Sequence, residues 1–585
     1  MLIYFLPKAK PGYGKTILST RIIEHLHQRV LCDRQSSDQA SNTSCLSFFF
    51  FDQQKAEIES HITALQAISA QLLFSQRNNK TFIDIASLLM RDESKGQMRA
   101  SERALESMIR LYLEHLDGSY LVFDGLDECF EWEKFLESLR NSTERTSCKI
   151  VLTSRPHLGI SKFIGRKHFR MHLEEHSNRG EVNAVLRPGI TSLAISGGLG
   201  PHFGHQSLEA VISSLAKRAD SIVLWAALMV KYLQSPFLTA MERAAIIDDE
   251  EPFKGLDNLY SKILQDIQRR VPKSQDRKIR KILEWLVAAQ QPWTANMLWV
   301  ALAVQPSRRC VPGDFIDNFD ESLVQLCGPL VEIRQDHTVR FIHLSVSEYL
   351  TNPENASRSS LSVQFNVAHC STATVCLEYL LNEVMHEPLG GDASTRPHQR
   401  SVISRYCLLP YVTSFWPLHA SQSLHETLKL ELVESPFIQP TFKDFFQLLS
   451  KLTTNKALVT VWIEACYTFS TVPTILEIPD HVLRVAEVVP SRYRKQITLL
   501  GEVLKRFSKN LGDLIRGWGA ILEEEPNEIW LPSTNAFTNS EFWIGTDAAK
   551  VGYLSTLEDH CSKVVVSQVS ADGKEVGVIR VWPSK

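Results

Sequence analysis

The chain is short of the features that mark several large functional classes. It has no surplus of charge: 63 basic residues face 66 acidic ones, a net charge of −3, so nothing in its electrostatics recommends nucleic acid or an anionic membrane as a partner. Its 11 cysteines are scattered, with no Cys-x-x-Cys and no paired metal spacing. That excludes a zinc ribbon or a disulfide scaffold and suits a cytoplasmic protein with reduced thiols. Cys129, Cys327 and Cys466 lie beside apolar stretches and read as core thiols. The first residues lack the basic start and apolar core of a signal peptide. The longest apolar run, Ile222 to Val230, is about half of what a membrane span needs, and reads as a core helix. No Gly-x-Ser-x-Gly elbow suggests a serine hydrolase, and no tetratricopeptide, ankyrin or WD-type repeat is visible.

What the sequence does have begins at once. Lys10-Pro11-Gly12-Tyr13-Gly14-Lys15-Thr16 has the form of a phosphate-binding loop. Glycines let backbone N–H groups turn inward around phosphate oxygens. Lys15 suits the β- and γ-phosphates of ATP and the Thr16 hydroxyl suits Mg²⁺. The following Ile17 to Ile23 reads as a helix whose N-terminal dipole favours an anion. Two departures from the full pattern stand out: Ala9 holds the position of the first glycine, and Pro7 removes a donor N–H from the end of the preceding strand. Only Met1 to Leu6 precede Pro7, and a truncated or misassigned start is the expectation.

A site of this kind needs an acidic residue at the end of a second buried strand. Tyr120-Leu121-Val122-Phe123 runs straight into Asp124, which is the expected Mg²⁺ partner. Asp127 and Glu128 follow on the turn, where one of them could orient the attacking water. A third apolar strand, Ile150 to Leu152, ends in Thr153-Ser154-Arg155, and Arg155 either reads the γ-phosphate or is a surface arginine at a strand end. Between them Leu46 to Asp52 reads as a strand whose aromatic run is core packing. His168, His172 and His176 have a spacing that mimics a metal face, but no cysteine or acidic cluster completes it, and Lys167 to Leu173 alternates as a strand does.

This set resembles the NACHT class of signal-transduction ATPases (the STAND type), in the fungal branch whose P-loop region is called nephrocystin-like. The residues that carry it are Pro11 to Thr16, the Phe48 to Asp52 strand end, Phe123 to Glu128 and Leu152 to Pro156. Leu215 to Ala226 and Leu259 to Leu264 are similar to the helices that follow the core in this family. Ile282 to Ala289, Pro292-Trp293-Thr294 and Phe341 to Leu350 resemble its winged helix of the GPI-inositol-deacylase type. The resemblance implies a switch: ADP holds the nucleotide domain closed against the winged helix, and exchange for ATP opens it and permits self-association with protein partners. It implies that His343 either touches the β-phosphate of ADP or is a structural histidine at a strand-to-helix turn. It further implies a slow, weak ATPase in signalling or non-self recognition. A machine-type ATPase and a degenerate, nucleotide-free scaffold are the alternatives.

The expected fold is α/β: a P-loop parallel sheet with flanking helices, then helical and winged-helix domains, a further α-helical region and a short β-rich end. The boundaries fall at 1–175 for the nucleotide-binding domain, 176–268 for a helical domain, 269–355 for the winged helix, 356–535 for the α-helical region and 536–585 for the β-rich segment. Helices are expected at about 56–75 and 99–117 over the sheet. The glycine-rich stretch 196–204 reads as a connector. Two strands, Lys563 to Val569 and Val576 to Trp582, read as a hairpin around Ala571 to Lys574 and as the opening of a β domain. The helical region either replaces the sensor array usual in the family, or that sensor is missing.

Overall fold

Strands β1 (Ile3–Lys8), β2 (Leu46–Phe50), β3 (Tyr120–Asp124), β4 (Lys149–Leu152) and β5 (His168–His172) form one sheet in the order β2-β3-β4-β1-β5, every neighbouring pair parallel. The structure is a computed structural model. It describes residues 3–8, 12–36, 44–51, 61–94, 100–116, 118–129, 131–155, 160, 168–172, 178–200, 207–248, 255–355, 359, 361–429, 440–531, 540–544, 564–569 and 576–581. Strand β1 runs through Pro7 to Lys8, with Pro7 opposite Met171 of β5.

The sequence dictates a sheet covered on both faces. β3 is buried at every position, and its side chains alternate between two cores. Leu121 and Phe123 join a cluster built on α2 (His61–Ser75), α4 (Glu102–His115) and α5 (Trp132–Thr143). Tyr120 and Val122 join Leu26 and Val30 of α1 (Lys15–Ser36) on the other face. The helix α3 (Lys80–Ser94) is one the periodicity did not single out. The aromatic run splits according to position. Phe51 stacks edge-on against Phe135 at 5.2 Å and Phe49 packs on Phe51 at 5.0 Å, but Phe48 is 38% exposed because β2 is an outer strand with one flank open. That flank is occupied by a side chain: Phe48 N–H donates to Gln71 Oε1 at 2.9 Å, and Gln71 Nε2 donates to the Phe48 carbonyl at 2.8 Å.

Helices α6 (Arg179–Ile195), α7 (Leu208–Ala219), α8 (Val223–Leu233), α9 (Ala240–Asp248) and α10 (Leu256–Arg270) follow. The Ile222 to Val230 run is indeed core: Trp225, Leu228 and Met229 of α8 are fully buried. Next come α11 (Lys273–Ala288), β6 (Trp293–Thr294), α12 (Ala295–Ala303), α13 (Phe319–Cys327), β7 (Val331–Ile333), β8 (Thr338–Phe341) and α14 (Leu344–Thr351). Their strands make a small antiparallel sheet in the order β6-β8-β7. The rest is helical: α15 (Phe365–Asn382), α16 (Gln399–Arg405), α17 (Leu409–Lys429), α18 (Pro440–Thr454), α19 (Lys456–Thr468), α20 (Ile478–Val488) and α21 (Ser491–Glu524), the last ending before Pro526. One continuous apolar core runs from Val182 to Trp543. The hairpin is present as β9 (Val564–Val569) and β10 (Val576–Val581), paired antiparallel with Val569 opposite Val576. Among the described residues no helix is long and apolar enough to cross a membrane. Cys129, Cys327 and Cys466 are buried free thiols, and burial pushes Cys129 up to about 11 and Cys327 up to about 12.

The helical core contains a buried polar chain between α15 and α17. Gln290 N–H donates to the Tyr411 hydroxyl, which is hydrogen-bonded to His419 Nε2 at 2.9 Å. His419 Nδ1 and His369 Nδ1 lie 2.9 Å apart, and one of the two carries the proton that links the rings. Both rings are neutral: burial pushes His369 down to about 3 and holds His419 well below its ordinary range. Unfolded histidines take up a proton near pH 6.5, so the unfolded state binds more protons below that pH and the pair's contribution is lost as pH falls. Glu464 opposes this. Burial raises it to about 7, so its contribution is full below about pH 4.5 and is lost as pH rises towards 7. With His343, which is also pushed down, to about 4, three histidines outweigh one carboxyl. Stability is expected to drop by about 3 kcal/mol between pH 6.5 and pH 5. Urea midpoints across that range check it, and the double variant His369→Leu, His419→Leu should flatten or reverse the slope.

Candidate phosphate-binding site

In a parallel sheet the carboxyl ends of the strands lie on one side, and the helix that follows each strand starts there. The segment after β1 does so at once. Ala9, Lys10 and Pro11 lie outside the described residues. Gly12 and Gly14 have φ of +80° and +81°, in the region that glycine enters without cost. Gly14 C=O accepts from Leu18 N–H at 2.9 Å, the first bond of α1. The loop is held from outside the sheet as well: Leu224 N–H donates to the Gly12 carbonyl at 3.2 Å, and Asn178 Nδ2 donates to the Tyr13 carbonyl at 2.9 Å. The two glycines differ in surroundings. A Cβ on Gly12 would lie 2.9 Å from Leu224 Cβ, whereas one on Gly14 would meet nothing within 4 Å. Gly12→Ala therefore combines a left-handed backbone with overpacking and is expected to cost about 3 kcal/mol; Gly14→Ala carries only the backbone term, about 1 kcal/mol. Urea unfolding of the two variants side by side checks the difference.

Asp124 ends β3 and is almost wholly buried. Its Oδ1 accepts from Ser19 Oγ at 2.6 Å and from the Thr153 hydroxyl. Ser19 lies four residues after Lys15, so this bond ties the first turns of α1 to the end of β3. Thr153 closes the other side: its Oγ1 also accepts from Gly125 N–H at 3.1 Å, and its carbonyl accepts from Leu126 N–H at 3.0 Å. Gly125 has φ of +72° and turns the chain into the short helical turn Leu126–Glu128. Asp127 and Glu128 are thereby delivered to the same cleft as Lys15. Lys15 is part-buried, and burial holds its ammonium below the ordinary value. Arg155 adds to that, while Asp127, Asp124 and Glu128 pull the other way.

Arg155 is engaged on two sides. Its Nε pairs with Asp127 Oδ2 at 2.8 Å and its backbone N–H donates to Asp127 Oδ1 at 3.0 Å, so both oxygens of Asp127 serve Arg155. Its Nη1 pairs with Glu348, on α14 of the segment that carries the small antiparallel sheet. The Arg155 side chain is only 15% exposed, which sets aside a free surface arginine. His343 caps the same helix α14. Its Nδ1 accepts from Ser345 N–H at 3.1 Å, which leaves the proton on Nε2, and Ser345 Oγ bonds Tyr260 at 2.8 Å. Burial, then the charges of Lys15 and Arg155, push His343 down to about 4. The ring is neutral, and it shares the electrostatic neighbourhood of the phosphate loop.

Lys15, Asp124, Asp127, Glu128, Arg155 and His343 thus come from distant parts of the chain into one neighbourhood. Gly12, Tyr13, Gly14 and Thr16 frame it, Thr16 at the exposed first turn of α1. The donor set suits a magnesium polyphosphate. An open cradle at Gly14, a lysine, an exposed hydroxyl and a buried carboxylate are the groups such a ligand needs. Ser19, Thr153, Asn178 and Glu348 were not singled out in the sequence. Thr153 and Glu348 lie inside stretches that were, and Ser19 shares a helix face with Lys15.

Residues 4–155 match the family described as nephrocystin 3, N-terminal, and residues 269–365 match the family described as GPI inositol-deacylase, winged helix domain. No curated protein matches the chain. Among solved structures, the Drosophila origin recognition complex bound to DNA has a chain 13% identical, with 59% of this chain and 89% of that chain covered and a TM-score of 0.25. The Aeropyrum pernix ORC1 protein in complex with DNA is 13% identical over 60% of this chain and 95% of that chain, with a TM-score of 0.19. Likeness at that level carries no argument.

Proposed function

We propose that this chain, a nephrocystin-3-type N-terminal domain joined to a GPI-inositol-deacylase-type winged helix, is an ATP/ADP-operated switch of the NACHT type. Its work is signal transduction or non-self recognition in the cytoplasm, with slow Mg²⁺-dependent ATP hydrolysis. The observation that carries the reading is the double engagement of Arg155, with Asp127 inside the nucleotide-binding half and Glu348 on the winged helix. An arginine beside the phosphate loop that also holds the neighbouring domain can translate the state of a nucleotide into domain position.

Bound nucleotide would supply the charge that Lys15 and Thr16 are arranged to meet, with Mg²⁺ held by Thr16 and Asp124. Gly12, Tyr13, Gly14 and Pro11 would cradle phosphate through the backbone. His343 offers a neutral Nε2–H on the winged-helix side. Because Asp127 is committed to Arg155 through both oxygens, Glu128 is the better candidate to orient water, and Asp127 the anchor of the arginine. The partners would be other proteins and further copies of the chain; a net charge of −3 gives nucleic acid no advantage.

The experiment is to purify the full chain, release any bound nucleotide with acid and identify it, then measure steady-state hydrolysis. Trapped ADP with negligible turnover is the expected result. Rapid turnover would favour a machine ATPase. No nucleotide, and no binding of added Mg-ATP, would leave a scaffold.

A further inference from the structure

A cavity of about 670 Å³ opens away from the phosphate loop, between the far ends of α8 and α10, the start of α11, and the α13 to β7 segment. Its size is that of a small-molecule pocket. The floor is apolar: Ile263, Ile267, Leu326 and Val331 line it and are all buried. Its charged groups are few and uneven. Lys231 pairs with Glu332 at 3.5 Å and Arg270 with Asp266 at 3.4 Å. Lys278 also lines the cavity, and no hydrogen bond or ion pair engages it among the described residues. Three cations therefore face two carboxylates. The surplus is not diminished by Asp266, which also accepts from the Tyr232 hydroxyl and whose carboxyl is pushed up by burial. At the rim, Asp320 and Glu321 border an adjoining shallow depression. Their charges disfavour a polyanion, so a nucleotide does not suit this place.

We propose that this cavity binds a small amphipathic monocarboxylate, its head at Lys278 and its apolar body on Ile263, Ile267, Leu326 and Val331. The match is one of charge and surface together. A single negative head balances the one unpaired cation, and an aliphatic body that reaches the buried floor also covers Phe237 and Val324 at the mouth, apolar side chains that face water when the cavity is empty. A cationic or neutral amphiphile lacks the first term and a phosphorylated metabolite lacks the second. The proposal does not depend on the nucleotide reading, because none of these residues belongs to the phosphate loop.

Displacement of a fluorescent probe tests it on the full chain. 8-Anilinonaphthalene-1-sulfonate, an apolar body with one anionic group, is expected to bind at one saturable site per chain. Decanoate should displace it and decylamine should not, and excess Mg-ADP should leave the signal unchanged. Lys278→Glu is expected to weaken decanoate binding at least tenfold. Val324→Trp, at a rim residue that is 49% exposed, should block the probe. Unchanged urea midpoints certify the folding of both variants, with Lys278→Met as the substitute should the charge reversal unfold the chain. Equal displacement by decylamine, displacement by Mg-ADP, or decanoate binding that survives the loss of the Lys278 charge overturns the proposal.

Discussion

Replacing Lys15 with methionine is expected to lower Mg-ATP affinity at least a hundredfold while leaving the unliganded protein folded. The side chain is part-buried, and its ammonium is disfavoured by that burial and by Arg155. The neighbouring carboxylates Asp127, Asp124 and Glu128 favour its charge. Methionine keeps the apolar stem and removes both the charge and its desolvation, so stability without ligand should move by about 1 kcal/mol or less. With a triphosphate the balance differs. A charged hydrogen bond to phosphate is worth about 1.5–3 kcal/mol, and the variant leaves three carboxylates facing the anion with one cation fewer. The check is thermal. At a ligand concentration a hundred times the Kd, the parent should gain about 2.7 kcal/mol of stability, and the variant almost none. Equal stabilisation of both proteins by Mg-ATP would show that the loop does not hold the phosphates.

The second large effect concerns Arg155, and its two partners separate the contributions. Arg155→Ala takes the paired guanidinium from the Asp127 side chain, which is only 5% exposed, and leaves it the backbone N–H of residue 155 and the neighbouring Lys15 charge. The expected loss is about 3 kcal/mol, the cost of breaking a buried pair from one side. Glu348→Gln removes the other partner, which is 41% exposed, and is expected to cost about 0.5 kcal/mol. The two variants should nevertheless agree in one respect. Both break the link between the nucleotide-binding half and α14, so both should speed the release of bound ADP, measured as exchange against a labelled nucleotide. An Arg155→Ala loss as small as that of Glu348→Gln would mean that Asp127 is hydrated or otherwise compensated.

The parts of this site that a sequence can show are those that local chemistry forces. Gly12 and Gly14 are legible because a tight phosphate loop needs positive φ, and Asp124 because four apolar residues lead into it. The hairpin of β9 and β10 is legible because two β-branched runs flank Asp572-Gly573. Ser19 and Thr153 are not, because hydroxyls are common on helices and at strand ends. Only the strand order brings these two to one carboxylate oxygen. Glu348 is illegible for a stronger reason: it lies 193 residues from Arg155, and nothing local marks which surface glutamate will meet a distant arginine. The His369 to Tyr411 chain is hidden in the same way, since each residue alone looks like ordinary helix filling. The exposed Phe48 was misread from composition, which cannot tell an outer strand from a central one.

The Gln71 side chain has a bearing on how copies of this molecule can meet. By mimicking one rung of a neighbouring strand at Phe48, it occupies the hydrogen-bonding groups that an incoming chain would seek first. Growth of the sheet from that border must first displace this one amide from the middle of the outer strand.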